Sequence, residues 1–190
     1  MKKQRYTYIT YPLFLLILIF TLPFLQSKAD NNIDSMLFCE SIFLDFADGK
    51  YTVSLFCSDA ESGENEIYHG NGKNIADCIK KAKNGCAKNI FLPTSQLIVL
   101  GNGIKESHLK ELCVFAIKEN NLPLYMTVLK SDSSSLQKEN FEKIADAVKT
   151  NGENQKKSLW VLIENVLAHS NYEAYNVSVS DDGKIYFNEG

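Results

Sequence analysis

Five cysteines and three histidines are the side chains of this 190-residue chain best suited to chemistry. A histidine beside a cysteine can generate a thiolate nucleophile, and two histidines one helical turn apart can bind a metal. His69, His108 and His169 are far apart, however, and none has such a partner three or four residues away. No cysteine-enzyme signature and no Gly-x-Ser-x-Gly element occurs. We therefore predict no catalytic residue, no cofactor and no metal ligand, and place each histidine on the surface or in a loop.

None of the cysteines belongs to a C-x-x-C pair, which disfavours zinc binding and thioredoxin-like redox chemistry. The odd number leaves at least one cysteine unpaired within the chain. Cys78, Cys86 and Cys113 fall on apolar helix faces, where a free cysteine acts as a small hydrophobic residue.

The remaining two, Cys39 and Cys57, flank a predicted hairpin and leave two registers open. A two-residue turn at Asp48-Gly49 places Cys39 opposite Ser58, with the two sulfurs on opposite faces of the sheet. A three-residue loop at 47–49 instead places the cysteines directly opposite, as a disulfide would need.

Two glycine pairs resemble phosphate-binding loops but lack the required neighbours. For a P-loop, the stretch 70–73 (GNGK) needs a glycine at Ile67 and a serine or threonine at Asn74. The stretch 101–103 (GNG) needs a third fingerprint glycine where Glu106 stands. Both stretches are therefore interpreted as turns.

Acidic residues cluster twice without the spacing of a calcium loop. Asp45 and Asp48 are explained by the hairpin. The second cluster is interpreted as a solvated loop, with a weak cation site or a partner site as the alternative; it comprises Asp59, Glu61, Glu64 and Glu66.

The periodicity of apolar residues predicts the elements that carry these side chains. Strands are predicted at 36–46, 51–57, 95–100 and 123–129, with a final hairpin around Asp182-Gly183. Helices are predicted from Lys73 to Cys86, at 105–119, after a capping box at 134–137, and at 157–169. On the second helix Val114, Phe115 and Ile117 widen the apolar stripe, which predicts a well-buried helix. The fourth carries Leu159, Leu162, Ile163, Val166 and Leu167 in register.

This order of elements predicts an α+β fold with some α/β character. A mixed β-sheet with about four helices packed on it would contain an opening antiparallel hairpin, one β-α-β crossover and a C-terminal hairpin. The globular domain is predicted at 30–172. The hairpin at 173–190 either returns to the sheet or starts a second domain.

The first 29 residues resemble a secretion signal or a membrane anchor. Lys2, Lys3 and Arg5 precede an apolar run at 9–25, and Ser27 and Ala29 have the small side chains that signal peptidase requires before a cut at Ala29-Asp30. The run is short for a bilayer span and contains two prolines. A cleaved signal and an uncleaved anchor both remain open, and both place the domain outside the cytoplasm.

The charge of the rest of the chain argues against a nucleic-acid partner. Residues 1–29 hold four of the 20 basic residues and no acidic one, which leaves 16 basic against 23 acidic residues, a net charge of −7. An acidic domain repels phosphate backbones.

Four stretches together resemble the Ger(x)C family of spore germination proteins, the C subunits of germinant receptors. The stretch 40–56 is similar to the first hairpin of that family, and 70–104 to its glycine-led helix and following strand. The stretch 111–132 is similar to the next helix and strand, and 177–190 to the approach to the second domain. Only the family's first domain is covered, and the lipidated cysteine usual after the signal is not found.

The resemblance implies a non-catalytic, extracytoplasmic protein that is associated with a membrane, the inner membrane of the spore, and works with the membrane subunits of a germinant receptor. The departures from the family pattern leave a truncated paralogue, a fragmentary reading frame or a single-domain derivative open. The alternative is a secreted or anchored α/β domain of unrelated function, such as an enzyme whose site is built from distant residues. Neither hypothesis predicts an oligomeric state.

Overall fold

The computed structural model describes residues 35–119, 122–131, 138–150, 157–170, 172–180 and 184–189. They all belong to one compact unit, Asp34–Gly190. The predicted signal or anchor with its cut at Ala29-Asp30, the capping box at 134–137 and the Asp182-Gly183 turn lie outside the described residues. No helix among the described residues is both long enough and apolar enough to cross a membrane.

Within these residues, eight strands form one sheet in the order β3-β2-β1-β5-β6-β7-β8, with β4 paired to β1. The strands are β1 Met36–Ala47, β2 Lys50–Asp59, β3 Asn65–Gly72, β4 Asn89–Phe91, β5 Leu97–Leu100, β6 Thr127–Ser131, β7 Tyr175–Val179 and β8 Ile185–Glu189. The helices are α1 Ile75–Asn84, α2 Glu106–Glu119, α3 Lys138–Thr150 and α4 Leu159–Leu167.

The sheet is mixed, which confirms the predicted fold class. β1 is antiparallel to β2, and β2 to β3, whereas β1, β5, β6 and β7 run parallel to one another. The C-terminal hairpin joins the sheet, because β7 pairs with β6 and β8 pairs with β7. We call the end of the sheet where β1, β5 and β6 begin the amino edge, and the end where they stop the carboxyl edge.

Helices cover both faces of the sheet. On one face α1, α2 and α4 pack on a large apolar cluster that includes Ile42, Leu55 and Ile98. On the other face α3 packs on a smaller cluster, in which the Phe141 ring stacks on Phe56 at a centroid distance of 5.8 Å. The alternation of β2 between the two clusters follows from the period of two of a strand.

Two strands, β3 and β4, were not predicted from the sequence. β4 has only three residues and β3 is largely polar, so neither shows the apolar signal of a strand. Gly70 and Gly72 therefore lie in β3 and not in the predicted turn. A Cβ atom on Gly70 would lie 2.0 Å from the Cys78 carbonyl oxygen, so glycine permits α1 to approach β3 closely.

Two helices are less buried than predicted. On α2, Val114 and Ile117 are each about half exposed, although Phe115 and Leu112 are buried. On α4, Leu167 is also exposed. The predicted strand at 123–129 begins only at Thr127, because the chain turns at Leu124 and Tyr125 before it enters the sheet. These displaced apolar residues all belong to one surface, described below.

Candidate functional site

Ser54 and His69 make the contact that most resembles a catalytic pair. They face each other across β2 and β3, with 2.9 Å between Ser54 Oγ and His69 Nδ1. A serine nucleophile also needs a group that orients the histidine. Among the contacts of the described residues, no acid meets the His69 ring. The pair therefore acts as a cross-strand hydrogen bond, and His69 is exposed as predicted.

His108 helps to start a helix. Its Nδ1 accepts a hydrogen bond from the Lys105 backbone N–H at 3.0 Å, one turn back in the chain. Its ring packs on Phe46 at a centroid distance of 4.1 Å and meets Tyr51 edge to face. These contacts fix the beginning of α2 against the opening hairpin.

Cys39 and Cys57 lie directly opposite each other, so the register predicted from the two-residue turn was wrong at this point. The turn itself has two residues, since Ala47 pairs with Lys50, but the register shifts between Cys39 and Ser41. Both thiols are free and fully buried. Hydrogen bonding to Cys39, together with burial, raises the pKa of the Cys57 thiol well above its usual range.

The acidic cluster contains an ion pair. Asp59 ends β2, and its Oδ2 accepts a hydrogen bond from Lys88 Nζ at 2.7 Å, while its Oδ1 accepts from the Glu61 backbone N–H at 2.8 Å. The hydrogen bond from Lys88, followed by that from the Glu61 backbone N–H, lowers the pKa of Asp59. Nowhere in the described residues are three histidine, cysteine or acidic side chains grouped so as to hold a metal ion.

The second glycine pair forms a tight connection at the carboxyl edge. The Gly103 backbone N–H donates to Asp45 Oδ1 at 2.8 Å, and Asp45 is only 4% exposed. A Cβ atom on Gly103 would lie 1.8 Å from the Phe46 carbonyl oxygen, and one on Gly101 would meet the Asp45 side chain. The loop between β5 and α2 is therefore pressed against the end of β1, as a turn and not as a phosphate loop.

A polar cleft of about 450 Å³ opens beside this loop. It lies where β5 and β6 end, between the start of α2 and the end of α4, and ligands often bind at the carboxyl ends of parallel strands. Burial raises the pKa of the Tyr172 hydroxyl in its wall. Its charged and polar lining side chains are Lys105, Glu106, Lys130, His169, Ser170, Tyr172, Glu173 and Asn176.

An apolar groove of about 500 Å³ lies between α2 and α4. It begins near the amino edge, where the backbone N–H of Trp160 donates to the Leu124 carbonyl at 2.9 Å. We call it the α2–α4 groove; it is lined by Ala116, Ile117, Leu122, Leu124, Trp160, Ile163, Glu164 and Leu167. The sequence pattern predicted Ile117 and Leu167 on buried helix faces and Leu124 in a strand, so this surface was not predicted. The sequence signal that could have revealed it is the apolar stripe of α2, which is too wide to be covered by one face of the sheet.

The fold and these two regions define an α+β domain with a polar cleft at one end of its sheet and an exposed apolar groove between two of its helices. The family model of the spore germination protein N-terminal domain matches residues 30–177, well over half of the chain. The chain therefore belongs to this family, the N-terminal domain of the Ger(x)C proteins, and the resemblance read from the sequence is confirmed. No curated protein and no solved structure matches it.

Proposed function

We propose that the chain is a non-catalytic, extracytoplasmic subunit or accessory protein of a spore germinant receptor. The observation that carries this proposal is the family match over residues 30–177. The proteins that the chain would contact are the membrane subunits of that receptor.

The proposed location is the outer side of a membrane, the inner membrane of the spore. Its support is the order of the first 29 residues, with basic residues before an apolar run at 9–25. An uncleaved run would anchor the domain, whereas cleavage at Ala29-Asp30 would release it.

A non-catalytic role is supported by the structural contacts that the histidine, serine and cysteine side chains make. His108 caps and packs at the start of α2, and Ser54 with His69 bridges two strands. Buried thiols are inert structural groups, since the thiolate is the reactive form. Burial raises the pKa of Cys78 and of Cys113 to about 11.

Membrane fractionation combined with intact-mass analysis, after expression of the full chain in a Gram-positive host, tests the location. We expect a full-length, membrane-bound protein. A protein that is cut after Ala29 and found in the medium would contradict membrane attachment.

Spores provide the test of the role. Deletion of the gene in its own host should slow the response to germinants, and the full chain supplied in trans should restore it. Unchanged germination across all germinants tried would contradict a receptor role.

The polar cleft favours ligand binding as a second candidate function, since it presents charges of both signs around about 450 Å³. A thermal-shift screen of small charged molecules tests it. A hit should be lost in Lys130→Ala and kept in Lys73→Ala, which changes an exposed lysine outside the cleft. A hit kept by both variants would place binding elsewhere.

A further inference from the structure

The α2–α4 groove and its rim expose an unusual amount of apolar surface. Leu167 is 68% exposed, Trp160 and Ile117 are each 50% exposed, and Tyr125, next to the lining residue Leu124, is 69% exposed. The rim continues along α2 at Val114, which is 49% exposed. Single exposed apolar residues are ordinary, but a contiguous group of them marks a surface that is covered in use.

Apart from the exposed carboxylate of Glu164, the composition of this surface fits the boundary between lipid and water. Tryptophan and tyrosine are enriched at membrane interfaces, where an amphipathic ring has one wet side and one apolar side. Leucine and isoleucine beside them supply the area that enters the acyl region. Lys118, next to Ile117, has a long side chain whose ammonium group can reach lipid phosphates.

The chain also enters the domain at the end of the sheet where this groove begins. β1 begins with Met36 at the amino edge, the same edge at which Leu124 and Trp160 begin the groove. Nine residues, 26–34, separate the apolar run at 9–25 from Ser35. Nine extended residues reach at most about 30 Å. A bilayer that holds the run is therefore always within reach of the amino edge, and such tethering raises the effective concentration of a weak contact.

We propose that the exposed wall of the α2–α4 groove, centred on Trp160, rests on the lipid bilayer. This proposal rests on the membrane attachment given under the proposed function.

Trp160 is the single tryptophan of the chain and therefore reports on this surface without any substitution. The full chain is reconstituted into phosphatidylcholine–phosphatidylglycerol vesicles, with and without bromine on the acyl chains near the headgroup. We expect bromine to quench about half of the emission, because an interfacial indole lies at that depth. Iodide in the aqueous phase should quench the same emission only weakly.

Strong quenching by iodide without quenching by bromine would overturn the proposal. Emission that is shielded from both quenchers and depends on protein concentration would overturn it in favour of a second copy. Flotation of the vesicles distinguishes membrane attachment from the contact of the groove. Protein that does not float with the vesicles contradicts membrane attachment itself. Protein that floats while bromine leaves Trp160 unquenched contradicts only the contact of the groove.

Two variants sharpen the result. The double variant Leu124→Ser with Leu167→Ser removes exposed apolar area beside Trp160 and should abolish most of the bromine quenching. Tyr186→Ser removes a side chain of similar exposure, 49%, on β8 outside the groove and should leave quenching unchanged. Equal quenching in both variants would contradict a contact through the groove, and circular dichroism checks that both variants are folded.

Discussion

The two ends of the sheet differ in how closely they are packed and in the side chains that they expose. At the carboxyl edge the loop around Gly103 is held by a buried carboxylate, Asp45, and the adjacent cleft is lined by charged groups. Near the amino edge the α2–α4 groove leaves Trp160 half exposed, and the carboxylate of Asp59 pairs with Lys88 close to solvent. The carboxyl edge is closed by tight backbone packing, whereas apolar side chains are exposed to solvent near the amino edge.

The difference separates structural from interaction surfaces. Residues that close the carboxyl edge cannot change without moving backbone, so substitutions there should cost stability. The exposed wall of the groove contributes little to folding, because its side chains already face water. If the exposed apolar residues of the groove belonged to the core, substitutions in the groove wall would cost as much stability as substitutions at the carboxyl edge.

The largest expected effect is that of Gly103→Ala. The added methyl group would overlap the Phe46 carbonyl oxygen, so the backbone must move, and we expect a loss of about 4 kcal/mol in unfolding free energy. Gly85→Ala is the matched control, because its nearest atom is 3.4 Å away and its φ of −74° suits alanine. Urea unfolding measures both, and equal losses would contradict the tight packing of the carboxyl edge.

The groove itself should divide into a structural floor and a dispensable wall. Ile163, 2% exposed, forms the floor, and Ile163→Ala should cost about 3 kcal/mol in unfolding free energy. Leu167→Ala in the wall should cost less than about 0.5 kcal/mol. A comparable loss in both variants, measured by thermal or urea unfolding, would show that the wall belongs to the core.

Asp45 provides a smaller test of the carboxyl edge. Asp45→Ala leaves the Gly103 backbone N–H without its acceptor, and we expect a loss of about 2 kcal/mol in unfolding free energy. Asp45→Asn keeps an oxygen in place and should lose less. Glu61→Ala, an exposed acid whose side chain is 69% exposed, should change stability by no more than about 0.5 kcal/mol. An unchanged unfolding free energy in Asp45→Ala would contradict a stabilising role of the carboxylate.

The smallest effect concerns acid stability. Lys88 lowers the pKa of Asp59, so this pair stabilises the folded state above the ordinary aspartate pKa of about 3.9 and loses that contribution as the pH falls through the lowered pKa. Lys88→Gln should therefore move the acid-unfolding midpoint slightly to higher pH. Lys80→Gln, which changes an exposed lysine on α1, should not. Circular dichroism along a pH titration measures both, and identical midpoints for wild type and Lys88→Gln would contradict the prediction.

Local patterns were sufficient for most of the elements but not for register or exposure. Of the two turns left open, the structure has the two-residue turn at Asp48-Gly49, yet Cys39 meets Cys57 because the register shifts between Cys39 and Ser41. A bulge has no strong sequence signal, since it depends on how both neighbouring strands are accommodated. β3 was missed for a related reason: its edge position allows a polar sequence whose pairing is decided by β2.

Neither of the two regions could be read from the sequence. The cleft unites residues from five elements, and only the tertiary arrangement brings Lys105, Lys130 and His169 together. The groove was hidden by its own composition, because an apolar residue at helical spacing predicts burial. Val114 and Leu167 are exposed because the large sheet face is already covered by the other residues of α2 and α4.

The sequence by itself determined the fold class, the parallel β5-α2-β6 unit, the buried cysteines of α1 and α2, and the family. The fold class, the β5-α2-β6 unit and the buried cysteines follow from local periodicity, turn chemistry and the order of elements along the chain. The family was indicated by the resemblance of four stretches and is shown by the family match. The tertiary structure alone decided which apolar side chains stay exposed and which charged groups meet at the end of the sheet. Both depend on contacts between residues that are distant in the chain, which local pattern does not encode.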